Sequence, residues 1–546
     1  MNTPESVRAA ESVRAPETVR APETVRAPET VRAPETVGAS GSAGAAETVR
    51  AAGSVAELVA AEDVLLFVNA AITATGQREF RSGAADQQLS LDFLHTYVRV
   101  NYRRVYAASL ALDINHHNAS LIVRRLLETA GEASPAERRT EGRLIAARLA
   151  SLPPPRVYRL FGELRRGKVN NRRTRAIMRD WLAARPDLGH DAVKYRAGLK
   201  TAVRHIHLPC PDGGAPLAEV GAFLFRPGRL PRYEHGMLDA WRRAHYEQGA
   251  VAELPFTVAE GFAAKHGMRR EVFLKRAAPR MTRLERLRTQ EQQAAGGRRG
   301  APAVRVDLTV MPLTRLALYV LSLGFEQRAE RRAELTGALR AAAARAAGGH
   351  AGSWGRVHAV LDDSFSSSGS GQKRRRPLAV ALACHHLLEV LAAPGVYRGL
   401  WTSGAGDALL VRPWGPTPLG TRVLDALEPG PGGAAPDRLV IVSDGWDNAP
   451  AGLAGEVLRV WRRRLDPERR TAVVHVNPVY DAEGFDVRRL VAGVATAGIR
   501  DAEDLPALVE IARFAEGRTG PAELYAYLDR RVARFTGPGG EEGVAP

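Results

Sequence analysis

The sequence predicts a mixed protein: an all-α array of paired amphipathic helices, then an α/β domain with a doubly wound parallel sheet. Three observations predict it. From Val55 to about Ala347 apolar residues recur at i, i+3, i+4 and i+7, with almost no period-two alternation. Beyond a Gly/Ala-rich hinge near 346–353, short β-branched apolar runs alternate with helical segments. The basic excess sits entirely in the first part. Of a net charge of +17, residues 151–200 supply +9 (13 Lys/Arg against 4 Asp/Glu) and residues 261–300 supply +8 (11 against 3), while residues 353–546 carry 23 basic and 24 acidic groups.

The chain opens on a period-six array over residues 6–37, in which SVRAAE and SVRAPE precede three copies of TVRAPE. Valine is its only strongly apolar group, so it cannot bury enough surface to offset backbone ordering, and residues 1–53 read as a disordered tail. The helical domain follows over 54–350. Its segments are "SLDFLHTYVRVNYRRVYAASLAL", "ASLIVRRLLETA", "RRTEGRLIAARLASL", "RVYRLFGELRRG", "RRTRAIMRDWLAAR" and "LTRLALYVLSLGFEQRAERRAEL", with Gly, Pro, Asp or Asn breaks between them. Such a succession suggests an α-solenoid of the HEAT kind, although no sequence repeat is visible. "GGRRGAP" (296–302) reads as a mobile loop.

The α/β domain spans 351–539, and 540–546 is a second disordered tail. Its expected strands lie in "GRVHAVLDD", "GVYRGLWTSG", "DALLVRPWG", "DRLVIVSDG", "TAVVHVNPVY" and "VAGVATAGI". Its expected helices are "PLAVALACHHLLEVLAA", "LGTRVLDALEP", "AGEVLRVWRRRL" and "DLPALVEIARFAEG". No run approaches the ~20 apolar residues of a membrane helix, and no signal-peptide pattern opens the chain, so the protein is expected in the cytoplasm, away from membranes. Two cysteines far apart, Cys210 and Cys384, argue against a disulfide framework or a Cys-based zinc site, and each is expected as a small buried hydrophobe.

In parallel α/β sheets ligands sit at the carboxyl ends of strands. Three loops converge there: Asp362-Asp363-Ser364-Phe365-Ser366, which fits D-x-S-x-S; "GPTPLG" with Thr417 before a helix; and "SDGWDN" with Asp444. Alternate side chains in D-x-S-x-S face one side of a loop, so Asp362, Ser364 and Ser366 can face one ion. The set is all oxygen, which suits Mg²⁺ or another hard divalent cation. Without a metal the same carboxylates act as helix caps and turn formers.

This series resembles the metal-ion-dependent adhesion site of von Willebrand factor type A domains, from Gly355 to near Gly539. The resemblance implies that Asp362, Ser364, Ser366, Thr417 and Asp444 hold Mg²⁺, with one coordination position left for an acidic group of a partner. Asp363 falls on an intervening position. Phe365 replaces the family's usual small residue, and "SSGSGQKRRR" makes a longer, more basic exit from the first loop. Catalytic patterns are missing: there is no G-x-S-x-G elbow, Walker loop or H-E-x-x-H, and no enzyme is expected. The doublets His116-His117 and His385-His386 read as partly buried or surface histidines rather than ligands, since adjacent helical residues face different ways. "HGMRR" and "HIHLPC" have metal-ligating residue types but no matching partner set.

"RVYRLFGELRRGKVNNRRTRAIMRDWL" and "DAVKYRAGLKTAVRHIHL" concentrate Arg and Lys with interleaved Tyr, Asn and His. Cations neutralise phosphates and the flat side chains stack on bases, so the stretch reads as a nucleic-acid surface, against the plainer reading of a solvated helix face. A basic helical array followed by an A-type domain resembles the Ro (TROVE) proteins, whose helical-repeat segments "NNRRTRAIMRDWL" and "DAVKYRAGLKTAVRHIHL" are similar to. That family closes a ring of HEAT-like helices with the A-type domain, binds single-stranded RNA ends in the central hole, and binds small non-coding Y RNAs on its outer surface. The resemblance implies RNA contacts at Lys168, Asn171, Arg172, Arg173, Lys194, Tyr195, Arg196, Lys200, Arg204, His205 and His207. It implies a scaffold in RNA quality control or processing. The alternative is a protein-assembly adaptor that uses Mg²⁺ to grip a carboxylate of a partner such as a MoxR-type ATPase.

Overall fold

The computed structural model describes residues 55–207, 216–226, 230–295, 307–429, 434–506 and 521–537. The hexapeptide tail, Cys210, the 296–302 loop, the greater part of the helix expected at "DLPALVEIARFAEG" and the 540–546 tail lie outside them.

From Val55 to Ala347 the described chain is helical. Several helices start where the sequence supplies a cap. Asn115 accepts from His117 N and Asn118 N to open His116–Glu128. Ser134 and Glu137 form a capping box ahead of Pro135–Ser151, and Asn171 accepts from Thr174 N to open Arg172–Ala183. Buried Val157, Leu160, Phe161 and Leu164 show the spacing read from the sequence, on helix Pro154–Arg166. Two stretches expected to run on are interrupted. The first breaks at Tyr102, between Ala84–Asn101 and Arg103–Ala108, and the second at Leu323-Gly324, between Leu313–Ser322 and Phe325–Glu330.

The second part is a five-stranded sheet: β1 (Val357–Leu361), β2 (Tyr397–Trp401), β3 (Arg438–Val442), β4 (Ala472–Asn477) and β7 (Ala495–Gly498), in the order β2-β1-β3-β4-β7 and parallel throughout. A small antiparallel pair, β5 (Tyr480–Asp481) and β6 (Asp486–Val487), lies between β4 and β7 in sequence. Both faces are covered. Val357, Ala359, Leu361, Val440, Val442, Val474 and Val476 belong to a core continuous with the helical part and with helix Arg376–Leu391. Val360, Leu439, Ile441 and Val473 pack on the other face with helices Leu419–Leu427 and Leu453–Arg464. Double burial is the reason these strands read as unbroken apolar runs. Cys384 is a buried free thiol in this core.

One expected strand does not form. "DALLVRPWG" is a short 3-10 turn, Ala408–Leu410, capped by Asp407, which accepts from Leu409 N (3.0 Å). The carbonyls of Leu409 and Val411 are taken by the guanidinium of buried Arg328, at 3.2 and 3.1 Å, rather than by a neighbouring strand. Arg328 also donates to Leu321 and Leu323 carbonyls (both 3.0 Å). Four backbone acceptors from both parts thus converge on one side chain.

The helical array begins and ends against the sheet. Helix Val55–Thr73 lies on β6 and β7, with Gly498 N donating to Asn69 Oδ1 (3.0 Å). Helices Leu313–Ser322 and Arg332–Ala347 pack on Arg376–Leu391. The last described helix, Pro521–Thr536, returns to the array, where Asp529 pairs with Arg104 (2.9 Å) and Arg531 with Asp113 (2.7 Å). Among the described residues no helix is long and apolar enough to cross a membrane.

Candidate functional site

β1 has β2 on one side and β3 on the other, so connections leave it in opposite directions and a crevice opens at the carboxyl ends of β1 and β3. Asp362 follows β1 and Asp444 lies just beyond β3. Parallel register sets Leu361 beside Val442, which brings the two exits level, and Asp362 N donates to the Val442 carbonyl (2.9 Å).

The first loop turns back at once. Ser364 N donates to Asp362 Oδ1 (2.8 Å), Ser364 and Ser366 hydroxyls lie 3.2 Å apart, and Ser367 Oγ donates to the Ser364 carbonyl (2.7 Å). Asp362, Ser364, Ser366 and Asp444 are all buried. The second loop is tied to the first by Phe365 N donating to Gly415 O (3.0 Å) and Trp414 N to Asp363 O (2.9 Å). Thr417, also buried, is fastened to the third loop: its N donates to Asn448 Oδ1 (2.8 Å) and its carbonyl accepts from Asn448 N (3.2 Å). The structure therefore brings the three loops of the candidate set together.

Two carboxylates buried side by side repel. Burial first, and then the Asp444 charge, push the Asp362 carboxyl well above its ordinary range. Asp444 also rises through burial, opposed by hydrogen bonds from Ser366 and Trp446 N and by the charges of Arg81 and Arg488. An oxygen-only set of two carboxylates and nearby hydroxyls, charged at a cost and, among the described residues, without an ion pair, suits a hard divalent ion. Bound there, such an ion would neutralise the pair, with Asp362, Ser364, Ser366, Thr417 and Asp444 as the residues to hold it.

Asp363 faces elsewhere. It accepts from Thr402 Oγ1 (2.9 Å), Ser403 N (2.8 Å) and Ser403 Oγ (2.6 Å) at the end of β2. Thr402 Oγ1 also lies 3.3 Å from Asp362 Oδ1, so this threonine braces both aspartates. The sequence reading missed it, though the pair of hydroxyls closing "LWTS" at a strand end was the available signal. It also missed the rim. Trp446 is held between Arg81 (4.0 Å from the ring centre) and Arg488 (3.7 Å), and exposed Phe365 meets Phe80 edge-on at 5.8 Å. Arg81 and Phe80 come from the helical part, some 280 residues upstream of the first loop, and no local pattern connects them to it.

The basic candidates divide. Helices Pro154–Arg166 and Arg196–His205 pack together, which sets the turn 167–171 beside the end of the second helix. Lys168, Asn171, Arg172, Arg204 and His207 are exposed there, with Arg165 and Arg166. Asn170 and His207 side chains lie 3.4 Å apart. Lys200 is half-buried and, like Arg204, sits over the Phe225 ring. The others serve the fold. Arg173 pairs with buried Glu141 (3.4 Å) and donates to the Arg138 carbonyl (2.9 Å). Lys194 pairs with Glu285 (3.6 Å), and half-buried Tyr195 packs on Tyr158. Arg196 stacks on Phe223 and Trp241 and donates to the Phe223 carbonyl (3.0 Å). His205 is buried against the Val169 carbonyl (3.0 Å).

Of the doublet histidines, His386 is buried, half-buried His385 bonds the Tyr397 hydroxyl through Nδ1 (2.9 Å), His117 is half-buried and His116 is exposed. His266 of "HGMRR" bonds the Ala244 carbonyl through Nε2 (2.8 Å). Compared with known proteins, the chain matches no family model and no curated protein.

Proposed function

We propose that the chain is a Ro-like RNA-binding protein without catalysis of its own, in which a HEAT-like helical array is joined at both ends to a von Willebrand A-type domain. The observation that carries this reading is the exposed basic rim of Arg165, Arg166, Lys168, Arg172, Arg204 and His207, displayed on an array that starts and finishes on the sheet. Its partners are small non-coding RNA of the Y type and single-stranded ends of misfolded RNA, in a scaffold for quality control or processing. Fluorescence anisotropy with labelled single-stranded and hairpin RNA tests it. Affinity should fall steeply with salt, and K168A/R172A should shallow the log–log salt slope by about 1.4, at ~0.7 per lost phosphate contact. Failure of any RNA to bind at low salt would defeat the reading.

The three-loop oxygen set favours a second role for the A-type domain. With Mg²⁺ held by Asp362, Ser364, Ser366, Thr417 and Asp444, it would take an acidic group of a protein partner such as a MoxR-type ATPase, and Arg81 and Arg488 at the rim suit that charge. Mg²⁺ should raise the thermal midpoint of the wild type and leave that of D362A unchanged. Were adaptor function the whole story, D362A would abolish partner capture while K168A/R172A left it intact.

A further inference from the structure

Between helices Ala84–Asn101, His116–Glu128 and Pro154–Arg166 lies a cleft of about 190 Å³, lined among others by Gln88, His117, Arg124, Arg156, Arg159 and Glu163. Of its three arginines Arg124 and Arg156 are half-buried and Arg159 is exposed. Arg124 pairs with Glu128 (2.7 Å). Among the described residues, however, no acid lies within ion-pair distance of Arg156 or Arg159, and neither guanidinium makes a hydrogen bond. His117 Nε2 is buried and has no hydrogen-bond partner. Three arginines, His117 and Gln88 therefore line a space that, among the described residues, has one carboxylate in its lining, Glu163.

We propose that this cleft is a binding site for a phosphate monoester, taken as a single dianionic group by Arg156 and Arg159, with Arg124, His117 and Gln88 around it. The volume is ample for a phosphate with its first waters. Arginine supplies several donors in a plane and suits a phosphoryl group better than an isolated ammonium does. Burial and then the neighbouring Arg159 depress Arg156, and burial and Arg156 push His117 down to about 4. A dianion between them would relieve both.

The site is also placed to serve the end of a strand. Arg159 and Arg166 are seven residues apart on one helix, so they share a flank and lie about 10 Å apart along the axis. Arg166 belongs to the exposed rim, so a backbone tracking that rim can end with its terminal phosphate in the cleft. A free nucleotide or inorganic phosphate offers the same chemistry. The cleft itself does not depend on the RNA reading, because inorganic phosphate alone tests it.

The experiment titrates the full chain, in phosphate-free buffer, with inorganic phosphate by calorimetry, and compares a single-stranded RNA decamer bearing a terminal phosphate with the same decamer ending in hydroxyl. Inorganic phosphate should bind the wild type at one site, and R156Q/R159Q should weaken it at least 10-fold, while R139Q, at an exposed position outside both the cleft and the rim, leaves it unchanged. A 10-fold or greater preference for the phosphorylated decamer, lost in R156Q/R159Q, assigns the site to RNA ends. Equal binding of the two decamers with phosphate binding retained assigns it to a free phosphate ligand, and absence of all RNA binding with phosphate binding retained removes the RNA reading alone. No phosphate binding by the wild type, or binding unchanged in R156Q/R159Q, overturns the proposal. If the double variant fails to fold by circular dichroism, R159Q, altered at an exposed position, must by itself weaken phosphate binding, and unchanged binding in that variant overturns the proposal equally.

Discussion

Replacing Lys373 by methionine should destabilise the protein by an amount set by pH. Lys373 and Glu79 form an ion pair whose side chains are only 10% and 3% exposed, joining the helical part to the exit of the first loop. Around it, Ser370 Oγ donates to the Arg78 carbonyl (2.6 Å) and Arg78 N to Gln372 Oε1 (2.9 Å). Burial drives the Glu79 carboxyl from 4.5 up to about 7, and the Lys373 charge restrains that rise. A carboxyl raised by folding adds stability that is complete below its unfolded value and disappears as pH climbs through the folded one. With Lys373 in place the loss ends just above pH 7, once the carboxylate has ionised, and totals about 3 kcal/mol at ~1.4 kcal/mol per pH unit. Without Lys373 the carboxyl stays protonated further up, so the loss continues by up to about 3 kcal/mol between pH 7 and 9. Over a unit running from Ala52 to Pro546, the unfolding entropy of ~2.1 cal/mol/K per residue makes 1 kcal/mol worth about 1 °C. Thermal melts of K373M should therefore fall within about 1 °C of wild type at pH 6 and about 3 °C below it at pH 9. An equal deficit at both values would refute the electrostatic account and leave only lost packing.

Three further outcomes are expected. A Cβ at Gly498 would stand 2.8 Å from Thr73 Cγ2 and 2.9 Å from the Asn69 carbonyl, so G498A should lower stability by about 1–3 kcal/mol and speed amide exchange in Val64–Thr73. R196Q removes the guanidinium stacked on Phe223 and Trp241 together with its charge; a loss of about 1–2 kcal/mol in denaturant melts, with the RNA salt slope unaltered, would separate its packing role from binding. His95 is wholly buried between the Tyr106 hydroxyl (2.8 Å) and Asn118 Oδ1 (3.1 Å), and burial pushes it down to about 3. Its contribution is present above pH 6.5 and is lost as pH falls toward 3, by up to about 4 kcal/mol, so the acid-side slope of stability should flatten in H95Q.

Much of the candidate site was legible because its signals are local. A β-branched run ending in D-x-S-x-S, and another ending in S-D-G, report strand ends and oxygen ligands within a few residues, and parallel register then had only to set Asp362 and Asp444 level. What escaped came from far along the chain: Thr402 from β2, and Arg81 and Phe80 from the helical part. The failed strand has the same origin. "DALLV" satisfies the local rule for a strand, but Arg328, 81 residues upstream of Leu409, captured its carbonyls. The basic stretch shows the opposite limit. Composition marks every Arg and Lys alike, while packing decided that Arg173, Lys194 and Arg196 would brace the fold and that Lys168, Arg172 and Arg204 would face solvent.

By itself the sequence determined the mixed architecture, the helix and strand periods and the oxygen-bearing side chains of the candidate site, since each is written in spacings of two to seven residues. Only the tertiary structure decided which strands flank β1, which arginines lack a counter-charge and where the helical array meets the sheet. Those depend on groups tens to hundreds of residues apart, whose shared burial gives them partners or withholds them.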